Sequence, residues 1–488
     1  MTHVDSAPSD SLHLDSTRGR WVLAATVLGS GMAMLDATVV NLALPRIAED
    51  LDASFSQLQW VVNGYTLSLA ALILLGGSLG DRMGRRRIFV TGALWFTVAS
   101  VLCAAAPTAE LLIAARVIQG IGGALLTPGS LAIIQSSFAA EDRPRAIGAW
   151  SGLGGVATGI GPFLGGWLVD VTTWRSVFLI NIPLGVAVVA IATRHVPESR
   201  DPESSGRLDV VGAALGVGAL AGITYGLTAQ LWMICAIGVI IGVGFVFVEL
   251  RSRSPMVPMH IFRSAQFSAT NVVTFLLYGA FSAALFMLGL VLQGPLDYSP
   301  LLAGAATVPL TIMMLLFSAR AGAIAQRIGP RIPMTAGPLL CAVGLALLTL
   351  VEPGRSYVEA VLPGMLVFAI GLTFTVAPLT TTALSSVSAH LAGIASGVNN
   401  AVARTGSLVA VAAIPVVAGF TAGAAVDDAT LLDGYGMVMW ASAGVAVVAG
   451  IVSAVWVRRI EPVIAPTERS PFCCPVSSPP VSVTAAAD

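Results

Sequence analysis

Charge is scarce in this sequence, and lysine is missing altogether. Of the 488 residues only 10% are charged, all 25 basic residues are arginine, and the formal net charge is −1. Soluble domains carry roughly 25% charged residues, so this chain has too little polar surface to cover a globule in water. The near-zero net charge also excludes the basic field with which nucleic-acid-binding proteins attract their partner.

Cysteine and histidine are equally scarce, with five of each. The cysteines show neither the spacing of a metal site nor that of a disulfide framework, and three of them stand alone in apolar runs. No cluster of histidine, aspartate or glutamate falls at a depth where a membrane protein would bind a catalytic metal. The sequence therefore predicts a protein that is not an enzyme and that holds no resident cofactor or metal.

Apolar residues are what the sequence has in excess, with a hydrophobic fraction of 56% and a mean hydropathy of +0.86. A membrane-spanning helix needs about 20 predominantly apolar residues, and about fourteen such runs occur. The run that begins at Trp21 is long and lacks a small-residue cleavage site, which favours a first span over a signal peptide. We expect an all-α polytopic membrane protein with about fourteen transmembrane helices.

The placement of arginine predicts the orientation of the spans. If the N-terminus is cytoplasmic, 20 arginines fall in inside segments and only Arg46, Arg175 and Arg355 fall outside. This asymmetry follows the positive-inside rule. We therefore expect both termini to be cytoplasmic, with the protein in the inner membrane of a bacterial cell, and fourteen spans satisfy the even number that this requires.

The chain also contains an internal repeat. GSLGDRMGRRR at 77–87 aligns with GAIAQRIGPRI at 322–332, and each copy follows the second span of a six-span block. Two parallel six-helix halves are typical of secondary transporters, whose substrate site lies near the midplane between them. The predicted division is a cytoplasmic N-terminal tail at 1–20, an N-terminal half at 21–193, a linker with an inserted helix pair at 194–267, a C-terminal half at 268–457 and a cytoplasmic C-terminal tail at 458–488.

Three ionisable side chains lie deep within predicted spans, namely Asp36, Arg116 and Arg404, and such residues are usually functional. At 1.5 Å per residue, Asp36 lies about 13 Å and Arg116 about 9 Å below the same outer face. Because a desolvated guanidinium requires a carboxylate nearby, we expect the two to pair, with Asp36 as the proton-coupling carboxylate. A purely structural pair that holds spans 1 and 4 together is the alternative.

Three roles stay open for Arg404: it faces Asp36 across a central cavity, it binds an anionic group, or it bonds to backbone carbonyls. Drug-type substrates need an apolar, adaptable cavity, in which aromatic rings supply stacking and cation–π contacts. The candidate cavity residues are Asn41, Tyr65, Gln119, Tyr278, Asn400 and Arg404.

Two further stretches are rich in glycine. In the cytoplasmic turn between spans 2 and 3, Asp81 either caps span 3 locally or pairs with an arginine of the other half. The candidate residues of this gating loop are Gly77, Asp81, Arg82, Gly84, Arg85 and Arg86. On span 5, small residues allow close helix approach and a proline bends the helix. These span-5 residues are Gly159, Gly161, Pro162, Gly165 and Gly166.

Seven segments resemble the fourteen-helix drug–proton antiporters (QacA/EmrB type) of the major facilitator superfamily. They are LDATVVNLALP (35–45), QWVVNGYTLSLA (59–70), GSLGDRMGRRR (77–87), RVIQGIGGA (116–124), GIGPFLGGWL (159–168), WRSVFLINIPLG (174–185) and GVNNAVARTGSLV (397–409). The resemblance implies the major facilitator fold and proton-coupling roles for Asp36 and Arg116. It also implies that Asp81 pairs with the other half in the outward-facing state, and that the span-5 motif is typical of exporters. The second loop copy departs from the pattern, with Gln326 where the first has Asp81.

Together these features predict a monomeric, proton-coupled multidrug efflux transporter. It would export small hydrophobic, in some cases cationic, molecules across the lipid bilayer by alternating access. An exporter of one metabolite or of a self-made antibiotic is the alternative. A lipid-handling membrane protein or a membrane enzyme is a third hypothesis, from a different class.

Overall fold

The computed structural model describes residues 12–201, 208–252, 255–388, 391–421 and 426–458. Most of both predicted tails therefore lies outside the described residues. Within the described ranges, fourteen helical segments are long and apolar enough to cross a membrane. This count confirms the predicted all-α polytopic architecture.

The helices follow one another in two sets of spans with an inserted pair between them. The N-terminal half contains α1 (Thr17–Leu51), α2 (Phe55–Met83), α3 (Arg85–Ala105), α4 (Ala109–Ser137), α5 (Arg143–Val171), α6 (Ser176–Leu179) and α7 (Asn181–His195). The inserted pair is α8 (Val210–Thr228) and α9 (Trp232–Arg251). The C-terminal half contains α10 (Ala265–Gln293), α11 (Pro300–Ala306), α12 (Val308–Ile328), α13 (Arg331–Leu348), α14 (Tyr357–Ala360), α15 (Leu362–Ser385), α16 (Ala392–Val417) and α17 (Asp428–Trp456).

In each half, the first helix begins a few residues earlier than predicted, because a side chain caps its N-terminus. The Ser16 hydroxyl accepts the Gly19 N–H, so α1 begins at Thr17 rather than at 21. The Ser264 hydroxyl accepts the Phe267 N–H, so α10 begins at Ala265 rather than at 268. An N-cap hydroxyl satisfies one of the four N–H groups that a helix start leaves without an intrahelical partner, which is why the helices extend to these residues.

Three of the predicted spans are interrupted. The sixth span breaks at Ile180, between α6 and α7, the tenth at Thr307, between α11 and α12, and the twelfth at Val361, between α14 and α15. A proline follows each break, namely Pro183, Pro309 and Pro363. Proline has no N–H to donate to the preceding turn, which accounts for an interrupted hydrogen-bond ladder at these points.

Several arginine-bearing segments meet on one side of the bundle, which we call the arginine-rich face (residues 12–20, 81–87, 137–145 and 194–201). The Leu12 N–H donates to the Ser137 carbonyl at 2.8 Å, and the Arg85 N–H donates to the Ser199 carbonyl at 2.9 Å. Arg18 Nε donates to the His195 carbonyl at 3.0 Å. These contacts hold the ends of α1, α3, α4 and α7 together at one face.

The inserted pair lies on the outside of the bundle, with α8 packed against α2 and α16. Met233, Ile240 and Val243 of α9 are 77%, 69% and 66% exposed. Large apolar side chains in such numbers require a hydrocarbon environment, so α9 presents a lipid-facing surface. Near the C-terminal end of α9, the buried Glu249 carboxylate accepts the Val257 N–H at 3.1 Å. This bond connects the inserted pair to the linker that follows.

Candidate functional site

An ion pair between Asp36 on α1 and Arg116 on α4 lies at the centre of the N-terminal half. Arg116 Nη1 and Asp36 Oδ2 are 2.5 Å apart, and the two side chains are 1% and 0% exposed. The predicted proximity of these two residues, 80 positions apart in sequence, is therefore present in the structure. Burial without compensation would be costly for either charge, and the pairing compensates both.

Amide side chains complete the shell of the Asp36 carboxylate. Gln119 Nε2 and Asn181 Nδ2 donate to Asp36 Oδ1 at 2.8 and 2.9 Å. Both amides also bond to the Ser100 hydroxyl, at 2.8 and 3.2 Å. Gln119 Oε1 in turn accepts from Arg116 Nη1 at 2.5 Å. One carboxylate thus connects α1, α3, α4 and α7 through a network in which every member is buried.

Asn181 and Ser100 were not among the predicted site residues. A signal for Asn181 was available, because it is the one amide side chain in the WRSVFLINIPLG segment, within a run that is otherwise apolar after Ser176. Ser100 had no comparable signal, since serine is common in membrane helices and can bond to the carbonyl one turn earlier. It does so here, donating to Phe96 at 2.9 Å.

Arg116 has further partners on α2 and on the turn before α7. Its Nε donates to the Val61 carbonyl at 3.0 Å, and its guanidinium carbon lies 4.3 Å from the centre of the Tyr65 ring and 5.7 Å from that of Phe178. Tyr65 is 1% exposed, and its hydroxyl donates to the Ala33 carbonyl at 3.2 Å. Two predicted cavity residues, Tyr65 and Gln119, therefore lie inside the ion-pair network rather than at a cavity surface.

The other predicted cavity residues lie nearer the interface between the halves. Tyr278 and Arg404 are half-buried and Asn400 is exposed. Asn41 is half-buried on α1, and its Oδ1 is a buried acceptor without a partner among the described residues. Arg404 is close enough to Tyr65 and Tyr278 to interact electrostatically with both. Around Arg404, therefore, α2 and α10 come near α16.

The three roles predicted for Arg404 are not equally supported. Within the described ranges, no backbone carbonyl accepts a hydrogen bond from the Arg404 side chain. The Asp36 carboxylate is bonded to Arg116 and two amides, so Arg404 forms no ion pair with it in this conformation. That Arg404 faces Asp36 across a cavity, or that it binds an anionic group, stays a prediction.

The turn between α2 and α3 is held by carboxylates of its own half. Asp81 Oδ1 pairs with Arg85 Nε at 2.8 Å, one helical turn away. Glu198, beyond the end of α7, accepts the Arg86 and Arg87 N–H groups at 3.1 and 3.2 Å and so caps α3. Arg86 Nε lies 3.7 Å from the same carboxylate. Neither sequence hypothesis for Asp81 describes this state, because the cap is Glu198 and Asp81 pairs within its own turn.

Among the described residues, Asp81 forms no ion pair with the C-terminal half. The resemblance implied such a pair only for the outward-facing state, so its absence here concerns one conformation. Arg82 is half-buried in the same turn, and Gly77 lies beside Pro128 of α4. The repeat is visible in the backbone, because Gly84 and Gly329 occupy equivalent turns with φ of 115° and 83°. Such angles strongly favour glycine.

The glycines of α5 form two packing faces. A Cβ on Gly161 or Gly165 would collide with Thr38 or Val39 of α1. A Cβ on Gly159 or Gly166 would instead collide with Thr311 of α12 or with the Pro300 backbone of α11. The predicted motif therefore lets α5 approach its own half on one face and the opposite half on the other.

Contact between the halves along α5 ends before the arginine-rich face is reached. Gly152, Gly159 and Gly166 are spaced seven residues apart and share one face of the helix. Gly166 touches α11, the Gly159 carbonyl accepts the Thr311 hydroxyl at 3.2 Å, and nothing lies within 4 Å of a Cβ placed on Gly152. On this face α5 therefore touches α11 and α12 at Gly166 and Gly159, and among the described residues it has no such neighbour at Gly152.

Both the sequence and the fold are similar to those of known proteins. The family model of the Major Facilitator Superfamily matches residues 26–411. A methylenomycin A resistance protein of Bacillus subtilis is 34% identical over 414 residues, which cover 82% of this chain and 88% of that protein. A probable actinorhodin transporter of Streptomyces coelicolor is 35% identical (84% and 75% covered), and the multidrug efflux pump LfrA of Mycolicibacterium smegmatis is 33% identical (86% and 84% covered).

Solved structures with the same fold are more distant in sequence. A POT family transporter aligns with a TM-score of 0.67 at 16% identity, covering 89% of this chain and 97% of that one. A D-xylose–proton symporter aligns with a TM-score of 0.65 at 15% identity, covering 90% and 98%. At such identities the likeness concerns the fold alone.

Proposed function

Because the chain belongs to the Major Facilitator Superfamily, we propose that it exports small hydrophobic molecules, antibiotics among them, from a bacterial cell in exchange for protons. It is a membrane transporter and not an enzyme. The proposed direction of transport is supported by the relatives, which are named for antibiotic resistance and for multidrug efflux. We further propose that it works as a monomer with both termini in the cytoplasm, so that the arginine-rich face is the inner one.

The observation that carries proton coupling is the buried Asp36–Arg116 pair. Asp36 is the only carboxylate at mid-depth in the described spans, and its two oxygens accept from Arg116, Gln119 and Asn181. In this state both carboxylate oxygens are occupied by donors from α4 and α7. A proton that reaches Asp36 neutralises it, weakens its bond to Arg116 and leaves the guanidinium to its remaining partners. The Asp36 carboxylate can thus alternate between two partners, the Arg116 guanidinium and a proton.

The described conformation fits one step of such a cycle. Its fully paired Asp36 suits the form that follows proton release, and the gap beside Gly152 lies on the side of the arginine-rich face. In a drug–proton exchanger this is the form that takes substrate from the cytoplasm. Protonation from the outer side then returns the carrier after the substrate has left, so one gradient drives the other flux.

An exporter dedicated to one compound is the second candidate. Several relatives are named for a single antibiotic, including methylenomycin A and actinorhodin, whereas others are named for many drugs. A panel of hydrophobic antibiotics, tested for resistance in a host without other efflux pumps, separates the two: one compound for the dedicated exporter, several for the multidrug one.

Inside-out vesicles test the proposed exchange directly. A respiration-driven gradient, acidic inside, is followed with a pH-sensitive dye, and each compound is then added to the outside. We expect a transported compound to release protons from the vesicle lumen in wild-type vesicles and not in Asp36→Asn vesicles that contain the same amount of protein. Proton release at the same rate in both would overturn the role of Asp36, and no release with any compound that gives resistance would overturn antiport.

A further inference from the structure

Arg404 occupies a specific position on α16, midway between two contacts of that helix with α2. On one side, Gln59 Nε2 donates to the Val411 carbonyl at 2.6 Å, an acceptor that Pro415 leaves free because it has no N–H. On the other side, Leu74 lies 3.0 Å from a Cβ placed on Gly397. Arg404 is seven residues from both Gly397 and Val411, so all three share the helix face toward α2.

The charge at this depth is unbalanced. Asp36, Arg116 and Arg404 are the ionisable groups at mid-depth in the described spans, one negative and two positive. Asp36 and Arg116 neutralise each other in a fully buried pair. The half-buried Arg404 guanidinium has neither an ion pair nor a hydrogen bond within the described ranges. An isolated charge is costly in such surroundings, so this arginine is a positive group in need of a partner.

A second observation points to the same interface. Asn63 lies one helical turn from Gln59 on the α2 face that meets α16, and it is only 1% exposed. Neither its Oδ1 nor its Nδ2 has a partner in the described part of the chain, and the same is true of Gln59 Oε1. Buried amides in proteins are nearly always hydrogen-bonded. Within the described ranges, the α2–α16 interface therefore carries one unused donor, Asn63 Nδ2, and two unused acceptors, on the same helix pair as the unpaired Arg404 cation.

We propose that Arg404, aided by the Asn63 amide, binds the negatively charged group of the transported molecule. The geometry assigns the substrate class as aromatic organic anions that carry a carboxylate or a phenolate. A guanidinium holds such oxygens with two parallel hydrogen bonds, and the neighbouring half-buried Tyr278 offers a ring for stacking. A cationic drug finds no free carboxylate at this depth, because Asp36 is enclosed by its own partners. This inference rests on the proposed function, and it narrows the substrates to one charge type.

Two dyes that share a xanthene ring system test the assignment on the purified full-length protein in lipid nanodiscs. Fluorescein carries a carboxylate and a phenolate, whereas rhodamine 6G is cationic and its carboxyl group is esterified. Binding is measured by fluorescence polarisation at neutral pH without a proton gradient. We expect wild type to bind fluorescein, Arg404→Gln to weaken that binding at least tenfold, and Arg404→Lys to weaken it less. Rhodamine 6G binding should not fall in either variant.

Arg320→Gln is the matched control, since Arg320 is an exposed arginine of α12 that stacks on Phe317; fluorescein binding should not change. Unfolding temperatures of all variants show whether a loss comes from misfolding, and Asn63→Leu provides a second test that leaves every charge in place. Equal fluorescein binding by wild type and Arg404→Gln would overturn the proposal. If that happens while vesicles still exchange other drugs for protons, only the anion site fails. If fluorescein binds through Arg404 but no compound moves protons, the site stands and the antiport fails.

Discussion

Asn181, at the start of α7, donates a hydrogen bond of 2.9 Å to the carboxylate of Asp36 on α1, 145 residues away in the sequence. The break between α6 and α7 places Asn181 there, because α7 restarts at this residue. Gln119 and Arg116 of α4 bind the same carboxylate. A proton that arrives at Asp36 therefore changes the bonds of three helices together, which is how a single charge can act on a whole half of the protein.

Removing the Asn181 amide should weaken the network. Hydrogen bonds to charged groups contribute about 1.5–3 kcal/mol, so we expect Asn181→Leu to lower the free energy of unfolding by that amount. Because Asn181 also bonds to Ser100, the effects of Asn181→Leu and Ser100→Ala should not add in the double variant. Denaturant unfolding of the four proteins measures this, and strict additivity would show that the two side chains act separately.

Asp36→Asn should abolish proton-driven export and destabilise the protein, because Arg116 then carries an uncompensated buried charge. Breaking a buried pair in this way costs about 3–5 kcal/mol. Asp50→Asn on the same helix is the matched control: Asp50 pairs with Arg175 at 2.6 Å, but both are partly exposed, and such pairs contribute about 1 kcal/mol or less. Thermal unfolding and vesicle exchange rates provide the two readouts.

The double variant Asp36→Asn with Arg116→Gln separates coupling from structure. It removes both buried charges, so stability should recover relative to Asp36→Asn alone. Export should stay absent if Asp36 carries the proton. Recovered proton-driven export in the double variant would support the alternative in which the pair only holds α1 and α4 together.

Gly166→Ala should block closure of the halves at the face opposite the arginine-rich one. A Cβ there would lie within 3 Å of the Pro300 and Leu301 backbones, which cannot rotate away as a side chain can. We expect transport to fall at least tenfold with little change in expression. Gly444→Ala on α17 is the control, because nothing lies within 4 Å of its Cβ. Normal transport by Gly166→Ala would mean that the halves do not need this contact.

Gly84→Ala should destabilise the turn between α2 and α3. The backbone at Gly84 has φ of 115°, which costs other residues about 1–3 kcal/mol, and the new methyl group would lie 2.7 Å from the Glu198 carboxyl group. Gly80→Ala, one turn earlier within α2, meets nothing nearer than 4.0 Å and should be neutral or slightly stabilising. Comparing their unfolding temperatures decides whether the turn needs glycine at Gly84 alone.

Docking of the N-terminal segment should depend on pH through Asp142. The Leu14 N–H, with help from the His13 ring, holds the pKa of the Asp142 carboxyl below its usual range. A depressed pKa means that the contribution is present above the ordinary aspartate value and is lost as the pH falls through the lowered one. The segment should therefore be docked at pH 7 and released in strong acid.

Hydrogen exchange at Leu14 measures this docking. Asp142→Asn should remove the protection of the Leu14 amide at pH 7, since the carboxylate that accepts it at 3.0 Å is gone. Glu141→Gln is the matched control, because Glu141 is mostly exposed and only reaches within 4.0 Å of His13. Unchanged protection in Asp142→Asn would assign the docking to the backbone bonds between Leu12 and the 137–139 segment instead.

Much of the architecture and part of the site could be predicted from the sequence. Fourteen apolar runs predicted fourteen spans, since a bilayer demands about 20 apolar residues for each. The pairing of Asp36 with Arg116 could be expected because two opposite charges at similar depth compensate each other. Tyr65 and Gln119 were assigned to a cavity surface, and the structure places them in the buried network. Their residue types suit either environment, so only the packing distinguishes the two.

The sequence by itself determined that the chain lies in a lipid bilayer and how many spans it has. It also determined that one carboxylate and two arginines lie deep within those spans. These properties follow from composition and from distance along a helix. They can be inferred without knowing which helices pack against each other. Only the tertiary structure decided which helix faces meet: that Asn181 and Ser100 join Asp36, that Glu198 rather than Asp81 caps α3, and that Arg404 has no counterion among the described residues. Such choices depend on helix rotation and on contacts between residues far apart in the chain, and no local pattern specifies them.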